Sequence, residues 1–411
     1  MTVALVWAAT SRQADDPGTV ADRSGATEVA VAPTASSGTT PAADDTPADT
    51  VVAPAPTTTS STSTTTTTVP LAPEDGKTSA ERRLVDAFTV SDDDLQPKSI
   101  VASGDGLFFA QNMMYRHNVA VFDRSGNEVG VITDEVDLAA FGVEGGVVQG
   151  SPVEAAFTPD GRHVYVSNYK MFGPGFNPVA DDSCDRGSWD DSYVYKIDVT
   201  TLEIVAVVPT GAVPKFLAVS PDGSRLVVSN WCGFDVSIID TATDTELGRV
   251  DVGRHPRGVA IRSDSRYAYV TVMGEARIDV IDLQSLNVVN SIRDAAGTTP
   301  RHVLLSDDDR YLYVSNHKMN SVRKIDLSTG SVAGVARTGV ETRTMAISDD
   351  GESLYVVNYQ DGTVSKVRTS DMEILQTVYS GVRPVGIAYD PDTRQVWVAN
   401  YAGSLRVFLD Q

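Results

Sequence analysis

The 411-residue sequence predicts an all-β fold, a seven-bladed β-propeller of four-stranded antiparallel blades. Three observations predict it: a repeat of about 42 residues, short apolar strands within each repeat, and turns rich in Asp and Gly. The repeating units begin at Lys98, Val153, Lys215, Arg257, Arg301, Arg343 and Val385. Because no helical periodicity separates the strands, four strands in each unit indicate antiparallel sheets, and seven such units suit a ring.

Within a unit the predicted elements follow a fixed order. An apolar first strand, such as 216–220, leads into a turn, such as Pro-Asp-Gly at 221–223. Asp and Gly suit tight turns because they tolerate positive φ or bond their own backbone. The second strand has a recurring ending, Val-Tyr-Val-Ser-Asn at 164–168, and the third ends in Ile-Ile-Asp at 238–240. A second turn then precedes the fourth strand, for example at 246–250.

The last unit, from Val385 to Gln411, is long enough for only three strands. An apolar segment at about 83–90 lies just before Pro97 and belongs to no unit. We predict that this segment pairs with the C-terminal strands in the last blade, which closes the ring and covers edges that an open array would expose. Residues 81–411 are therefore predicted to form one domain.

The first 80 residues differ in composition from the repeats. Residues 1–10 are apolar and resemble the end of a signal peptide or membrane anchor. Residues 11–80 are rich in Ala, Thr, Ser, Pro and Asp, and bury too little apolar surface to offset the entropy of ordering a backbone. We predict a disordered extracellular or cell-surface stalk that tethers the propeller to a membrane or wall, and a plain flexible linker is the alternative.

Charge and composition exclude several classes of protein. There are 33 Lys and Arg residues against 55 Asp and Glu, a net charge of −22, which disfavours binding to nucleic acid or to anionic lipid. No run of 18 uncharged apolar residues occurs. Two cysteines and five scattered histidines offer no spacing typical of a metal site, and no phosphate-binding or nucleophile motif is present. We therefore predict no cofactor, no metal and no catalytic residue.

The repeated Tyr-Val-Ser-Asn endings, the Ser-Pro-Asp-Gly turn at 220–223 and the Val-Ile-Asp ending at 280–282 resemble the YVTN-family β-propeller repeat proteins. This resemblance implies the fold and a location on a bacterial or archaeal cell surface. It leaves function open, because similar propellers include lactonases, lyases, redox-protein domains and adhesins. The unit at Arg257 departs from the pattern, since Val272 stands where the motif has Asn.

Topology alone sorts residues between the two faces of the ring. The loops that begin each blade share one face, here the top face, with the loops after the second strands, and the hairpin turns lie on the opposite bottom face. The blade-start residues on the top face are Lys98, Lys215, Arg257, Arg301 and Arg343, with His302 and Arg383 near the equivalent position and Glu154 breaking the series. The motif Asn is followed by Tyr169, Trp231, His317, Tyr359 and Tyr401.

These residues predict a ligand site around the channel opening. Like charges at a cleft focus potential, Arg binds carboxylate or phosphate with two hydrogen bonds, and aromatic rings stack on sugars. We expect an anionic saccharide, a cell-wall polymer or a surface protein as partner. The alternatives are that the bases pair with nearby acids and that the aromatics pack between blades.

One long insertion interrupts the repeat, between Asn168 and Tyr193. It contains Cys184, and Cys232 lies in the corresponding loop of the next blade. We predict a disulfide between them, which suits an oxidising compartment. The acids of the insertion could bind calcium or form a solvated loop: Asp181, Asp182, Asp185, Asp190 and Asp191.

Three functions remain open from the sequence. The first is a secreted or surface-tethered binding protein, which we favour because no catalytic motif is present. The second is an enzyme resembling propeller lactonases or lyases, in which histidines of the top face would converge: His117, His255, His302 and His317. The third is a structural envelope protein without a small-molecule site.

Overall fold

The computed structural model describes residues 69–92, 94–113, 116–169 and 184–411. The predicted anchor remnant and the predicted stalk up to residue 68 lie outside the described residues. The described residues form seven four-stranded antiparallel sheets and one two-stranded hairpin. The predicted all-β, seven-bladed propeller is thus confirmed.

The strands lie in chain order. β1 (Leu84–Ser91) precedes blade 1, which holds β2 (Ser99–Ala102), β3 (Leu107–Asn112), β4 (Asn118–Asp123) and β5 (Glu128–Thr133). The hairpin β6 (Glu135–Asp137) and β7 (Val147–Gln149) follows. Blade 2 holds β8 (Ser151–Phe157), β9 (His163–Tyr169), β10 (Asp191–Asp198) and β11 (Ile204–Ala212). Blade 3 holds β12 (Pro214–Val219), β13 (Arg225–Asn230), β14 (Asp235–Asp240) and β15 (Thr245–Asp251).

Blade 4 holds β16 (Pro256–Ile261), β17 (Tyr267–Val272), β18 (Arg277–Asp282) and β19 (Asn287–Ile292). Blade 5 holds β20 (Pro300–Leu305), β21 (Tyr311–Asn316), β22 (Ser321–Asp326) and β23 (Ser331–Arg337). Blade 6 holds β24 (Thr342–Ile347), β25 (Ser353–Asn358), β26 (Thr363–Arg368) and β27 (Ile374–Tyr379), and blade 7 holds β28 (Pro384–Asp390), β29 (Gln395–Asn400) and β30 (Ser404–Asp410). Short 3-10 turns lie at Ser79–Glu81, Leu138–Phe141, Met273–Glu275 and Asp294–Ala296.

Blade 7 is closed by the N-terminal strand, as predicted. β1 pairs with β30 in antiparallel register from Leu84 opposite Asp410 to Ser91 opposite Ser404. The first strand of each blade is innermost, and these seven inner strands contact one another in a closed ring. Pairing between the two ends of the chain leaves no open gap in that ring, which removes the exposed edges of a linear array.

The recurring Ser-Asn ending joins each blade to its surroundings. The hydroxyl of Ser167 donates to the carbonyl of Lys215 at 2.7 Å, and that of Ser229 donates to the carbonyl of Arg257 at 2.7 Å. Thr271 makes the same bond to the carbonyl of Arg301 at 3.0 Å. Each bond spans two blades and satisfies buried polar groups on both sides. The motif therefore fixes the backbone of the basic residue that begins the next blade.

The segment before β1 lies on the bottom face. The amide of Ala72 donates to the carbonyl of Asp392, and Ser79 donates through its amide and hydroxyl to Asp350, at 2.6 and 2.7 Å. Asp392 and Asp350 belong to the hairpin turns of blades 7 and 6. Arg394 also contacts Asp75 at 3.2 Å. The chain thus reaches the propeller on the face opposite the blade-start loops.

Candidate functional site

The strand register defines where the predicted site residues lie. Pro214 pairs with Asn230, Pro256 with Val272 and Pro300 with Asn316, so the start of each inner strand is level with the end of the second strand. The residue after each of these prolines is one of the predicted bases. Blade-start bases and the residues after the motif Asn therefore share the top face of the ring.

All five bases of this series are buried, with Lys215 only 2% exposed and Arg257 only 7%. The equivalent position in blades 2 and 7 is valine, which corrects the sequence analysis: the series is broken at Val153 and Val385. Arg383 precedes Pro384 and is exposed, so it lies on the rim rather than in the series. The bases are therefore buried beneath the surface of the top face and do not form a solvent-exposed ring.

The sequence analysis treated Glu154 as an interruption of the basic series, whereas in the structure its carboxyl group lies among the bases. It is buried, and the charges acting on its carboxylate come from Arg257, Lys98 and Arg301. These three bases belong to blades 4, 1 and 5, so side chains from around the ring converge on the channel axis. Burial raises the pKa of Glu154, and the three bases oppose that rise. We call Lys98, Glu154, Arg257, Arg301 and His302 the axial cluster.

His302 completes this cluster as a neutral side chain. Burial, together with the positive charges of Arg257 and Arg301, lowers its pKa to about 3. Its ring lies edge-on to Phe216, with centroids 4.9 Å apart. Among the described residues, its Nδ1 is buried without a hydrogen-bond partner. The imidazole is therefore uncharged at neutral pH and retains one unused polar atom.

The aromatic residues after the motif Asn lie against the bases. Lys215 and Arg257 lie 5.8 and 5.7 Å from the ring centroid of Trp231, and Arg343 lies 3.5 Å from that of Tyr359. Lys98 is 5.9 Å from the ring centroid of Tyr401. Trp231 and Tyr359 are buried, as is His317. These rings hold cations in place by cation–π contact and offer little surface for sugar stacking. The side chain of Tyr169 lies outside the described residues.

The predicted disulfide is confirmed: Cys184 and Cys232 are bonded, with their Cα atoms 5.7 Å apart. The end of the insertion lies along blades 3 and 4. Arg186 pairs with Asp251, Asp191 with Arg249 at 2.8 Å, and Asp185 with Arg254 at 3.9 Å. Trp189 packs in an apolar cluster with Trp231 and both cysteines. The described end of the insertion, from Cys184 onward, is thus fixed to the top face beside the bases.

We expect the disulfide to account for about 2–4 kcal/mol of stability, because it constrains, in the unfolded chain, a loop whose cysteines are 48 positions apart. Replacing Cys184 and Cys232 together with Ala should lower the free energy of urea unfolding by that amount. Intact mass after alkylation supplies the control: two added alkyl groups should appear only after reduction. Two added groups without reduction would contradict the bond in the isolated protein.

The acids of the insertion that are described make ion pairs rather than a metal site. Asp181 and Asp182 lie outside the described residues, while Asp185 and Asp191 contact arginines as stated above. Within the described ranges, no group of three or more His, Cys, Asp or Glu is arranged to hold a metal ion. We therefore propose no calcium site on these residues.

The top-face histidines lie in different surroundings. His117 Nδ1 is 3.0 Å from the Ser151 hydroxyl, and burial lowers the pKa of His117. His255 stacks on Trp231 with centroids 4.3 Å apart, and its Nε2 is 4.0 Å from the sulfur of Cys184. His302 belongs to the axial cluster. These contacts place the rings at the blade 1–2 boundary, beside the disulfide and on the axis, which gives little support to a shared catalytic centre.

Towards the bottom face the channel is apolar. Alanine recurs three residues after the blade-start position, which is a base or, in blades 2 and 7, valine: Ala156, Ala218, Ala260, Ala346 and Ala388. The last apolar positions of the seven inner strands are partly exposed: Ala102, Phe157, Val219, Ile261, Leu305, Ile347 and Tyr389. A cavity of about 340 Å³ is lined by inner-strand residues 100–102, 155–157, 346–347 and 387–389. The recurring alanine was visible in the sequence, but the sequence analysis did not use it.

Comparison with known proteins supports the fold. A family model described as "Choice-of-anchor I domain" matches residues 190–360. The solved structure of Kuenenia stuttgartiensis hydrazine synthase aligns with a TM-score of 0.60 at 20% identity, covering 80% of this chain and 99% of that chain. At this identity the likeness shows the β-propeller fold alone, and the narrower YVTN resemblance stays a prediction. No curated protein matches the sequence.

The described residues contain no helix with the length and apolar character needed to cross a membrane.

Proposed function

We propose that the protein is a surface-associated β-propeller that binds an anionic ligand, of the acidic saccharide or cell-wall polymer class, through the axial cluster. One observation carries this proposal: Lys98, Arg257 and Arg301 converge on the channel axis in a chain of net charge −22. Converging charges of one sign focus potential, and the low dielectric of a buried site strengthens their attraction for an anion. Arg383, exposed on the rim, extends the positive charge towards solvent.

Surface association is supported by three features of the chain. The matching family model is described as a choice-of-anchor domain. Residues 11–80 have the composition of a stalk, and the Cys184–Cys232 bond suits an oxidising compartment. Ala72 and Ser79 contact the bottom face, so the described residues before β1 lie on the face opposite the proposed site.

Binding to polygalacturonate, with a neutral glucan as reference, tests the proposal on the full chain. We expect Arg257→Gln and Arg301→Gln to weaken polygalacturonate binding at least tenfold, because each removes a charge that a bound carboxylate would meet. The exposed Arg383→Glu variant should weaken it less and cannot disturb the buried cluster. Arg162→Gln, at a hairpin turn of the bottom face with the arginine 79% exposed, is the matched control. Equal binding by all five proteins would refute the proposal.

Location is tested separately on producing cells. Antibody raised against the purified propeller should label intact cells, and labelling only after lysis would contradict surface association. Retention of an unmodified protein partner by the wild type and by Arg257→Gln alike would favour a protein-binding role over an anion site.

A further inference from the structure

The residues around the channel change from charged to apolar along its axis. Charged side chains of the axial cluster are buried near the top face, whereas the side chains that line the cavity are mostly apolar, with Ile100, Phe157 and Tyr389 among them. Ile100 follows Lys98 by two positions in the chain, which corresponds to a rise of roughly 7 Å along an extended backbone. The cavity therefore begins directly below the charges.

The size of the cavity limits what it can hold. Its volume of about 340 Å³ equals roughly eleven times the share of one water molecule in the liquid. Most of its lining side chains are apolar, so the space suits a hydrocarbon group. It is large enough for a chain of several methylenes.

His302 is an independent sign that a ligand reaches the cluster. It is 6% exposed, neutral and flanked by Arg257 and Arg301, and its Nδ1 has no hydrogen-bond partner among the described residues. A buried polar atom without a partner costs free energy that a bound ligand oxygen or water would recover. The ring of His302 in blade 5 packs on Phe216 of blade 3, so it lies beside the channel, from which a ligand could reach Nδ1.

We propose that the channel binds an organic anion with a short apolar tail, of the medium-chain alkyl carboxylate class, with its carboxylate on the axial cluster and its tail in the cavity below. This rests on the anion site of the proposed function and assigns that site a different class of anion, an alkyl carboxylate instead of an acidic saccharide. Three bases, Arg257, Lys98 and Arg301, act on the single carboxyl group of Glu154, so positive charge is in excess at the cluster and an anionic head group would reduce that excess. The tail points to the bottom face, where the inner strands are partly exposed.

Isothermal titration calorimetry of the full chain with decanoate and butyrate tests this. Burial of each methylene strengthens binding about fourfold, so burial of three of the six extra methylenes should make decanoate bind roughly 60-fold more tightly than butyrate. Decyltrimethylammonium, which has the same tail with a positive head, should not bind.

Ala346→Phe and Ala260→Phe form a matched pair of variants. Both alanines lie three residues after the blade-start base of their blades, and both are partly exposed, but only Ala346 lines the cavity. Ala346→Phe should weaken decanoate binding at least tenfold, and Ala260→Phe should leave it unchanged. Equal effects of the two variants, or equal affinities for decanoate and butyrate, would overturn the inference.

The experiments distinguish failure of the apolar-tail proposal from failure of the anion-site proposal. If polygalacturonate and butyrate bind in a manner that depends on Arg257 while chain length has no effect, the anion site stands and the apolar tail is refuted. If no anion depends on Arg257, the proposed function itself is refuted.

Discussion

Lys366→Met is expected to lower the free energy of unfolding by about 3–5 kcal/mol, because it leaves the carboxylate of Asp410 buried without its charged partner. Both side chains of this ion pair are 0% exposed. Lys366 lies in β26 of blade 6, and Asp410 is the last residue of β30 in blade 7. The ammonium also donates to the carbonyl of Arg82 at 3.1 Å, just before β1. The pair thus joins blade 6 to both ends of the chain where the ring closes.

The control for this prediction separates the buried charge from the lost contact. Asp410 also accepts a hydrogen bond from the hydroxyl of Tyr355 at 2.6 Å, which Asn can still accept. The double variant Lys366→Met with Asp410→Asn should therefore recover a large part of the loss, because no charge is left buried. The measurement is the urea midpoint of the full chain at neutral pH. A single variant as stable as the wild type would show that the pair contributes little to closure.

Trp397→Ala is expected to cost about 3–5 kcal/mol, the range observed when a large aromatic is removed from a packed core. Trp397 is fully buried in β29 of blade 7. Its ring stacks on Phe108 of blade 1 with centroids 4.1 Å apart, and Phe88 of β1 meets it edge-on at 5.6 Å. One side chain therefore packs together the last blade, the first blade and the closing strand, and its removal leaves a cavity at their junction.

Thermal and urea unfolding check this second prediction. Tyr379→Ala provides the reference, since Tyr379 ends the outer strand of blade 6 and is 64% exposed, and such surface changes usually stay within about 0.5 kcal/mol. Trp397→Phe should fall between the two, because it keeps part of the stacking and loses the hydrogen bond to Gln395. If Trp397→Ala matches Tyr379→Ala, the junction is not a stabilising contact of the closed ring.

The fold was predictable because its signals are local. Each turn and each strand is indicated by a pattern of only a few neighbouring residues, and the repeat shows these patterns in seven successive units. Even the pairing of β1 with β30, which joins the two ends of the chain, followed from a simple count: the last unit held three strands and the segment near residue 85 was left over. The disulfide followed in the same way, since Cys184 and Cys232 lie in corresponding loops of adjacent blades.

The site was predictable only in part. The repeat register correctly identified the blade-start bases, but it took Glu154 for an interruption and counted Arg383 with the series. Arg257 and Arg301 act electrostatically on Glu154 from blades that lie across the ring, and no spacing along the chain indicates that these charges come near one another. The burial of the aromatic side chains was also predicted wrongly. Trp231 and Tyr359 were expected to face a sugar, but both are buried and make cation–π contacts with arginines.

By itself the sequence determined the number of blades, the strand that closes them and the paired cysteines, because hydrogen-bonded turns and apolar alternation are properties of neighbouring residues. Tertiary structure alone decided which charges meet on the axis, that they are buried, and that an apolar cavity lies beneath them. The physical reason is that a closed ring brings together the first residues of inner strands that are far apart in the chain, and both electrostatic attraction and burial depend on distance in space.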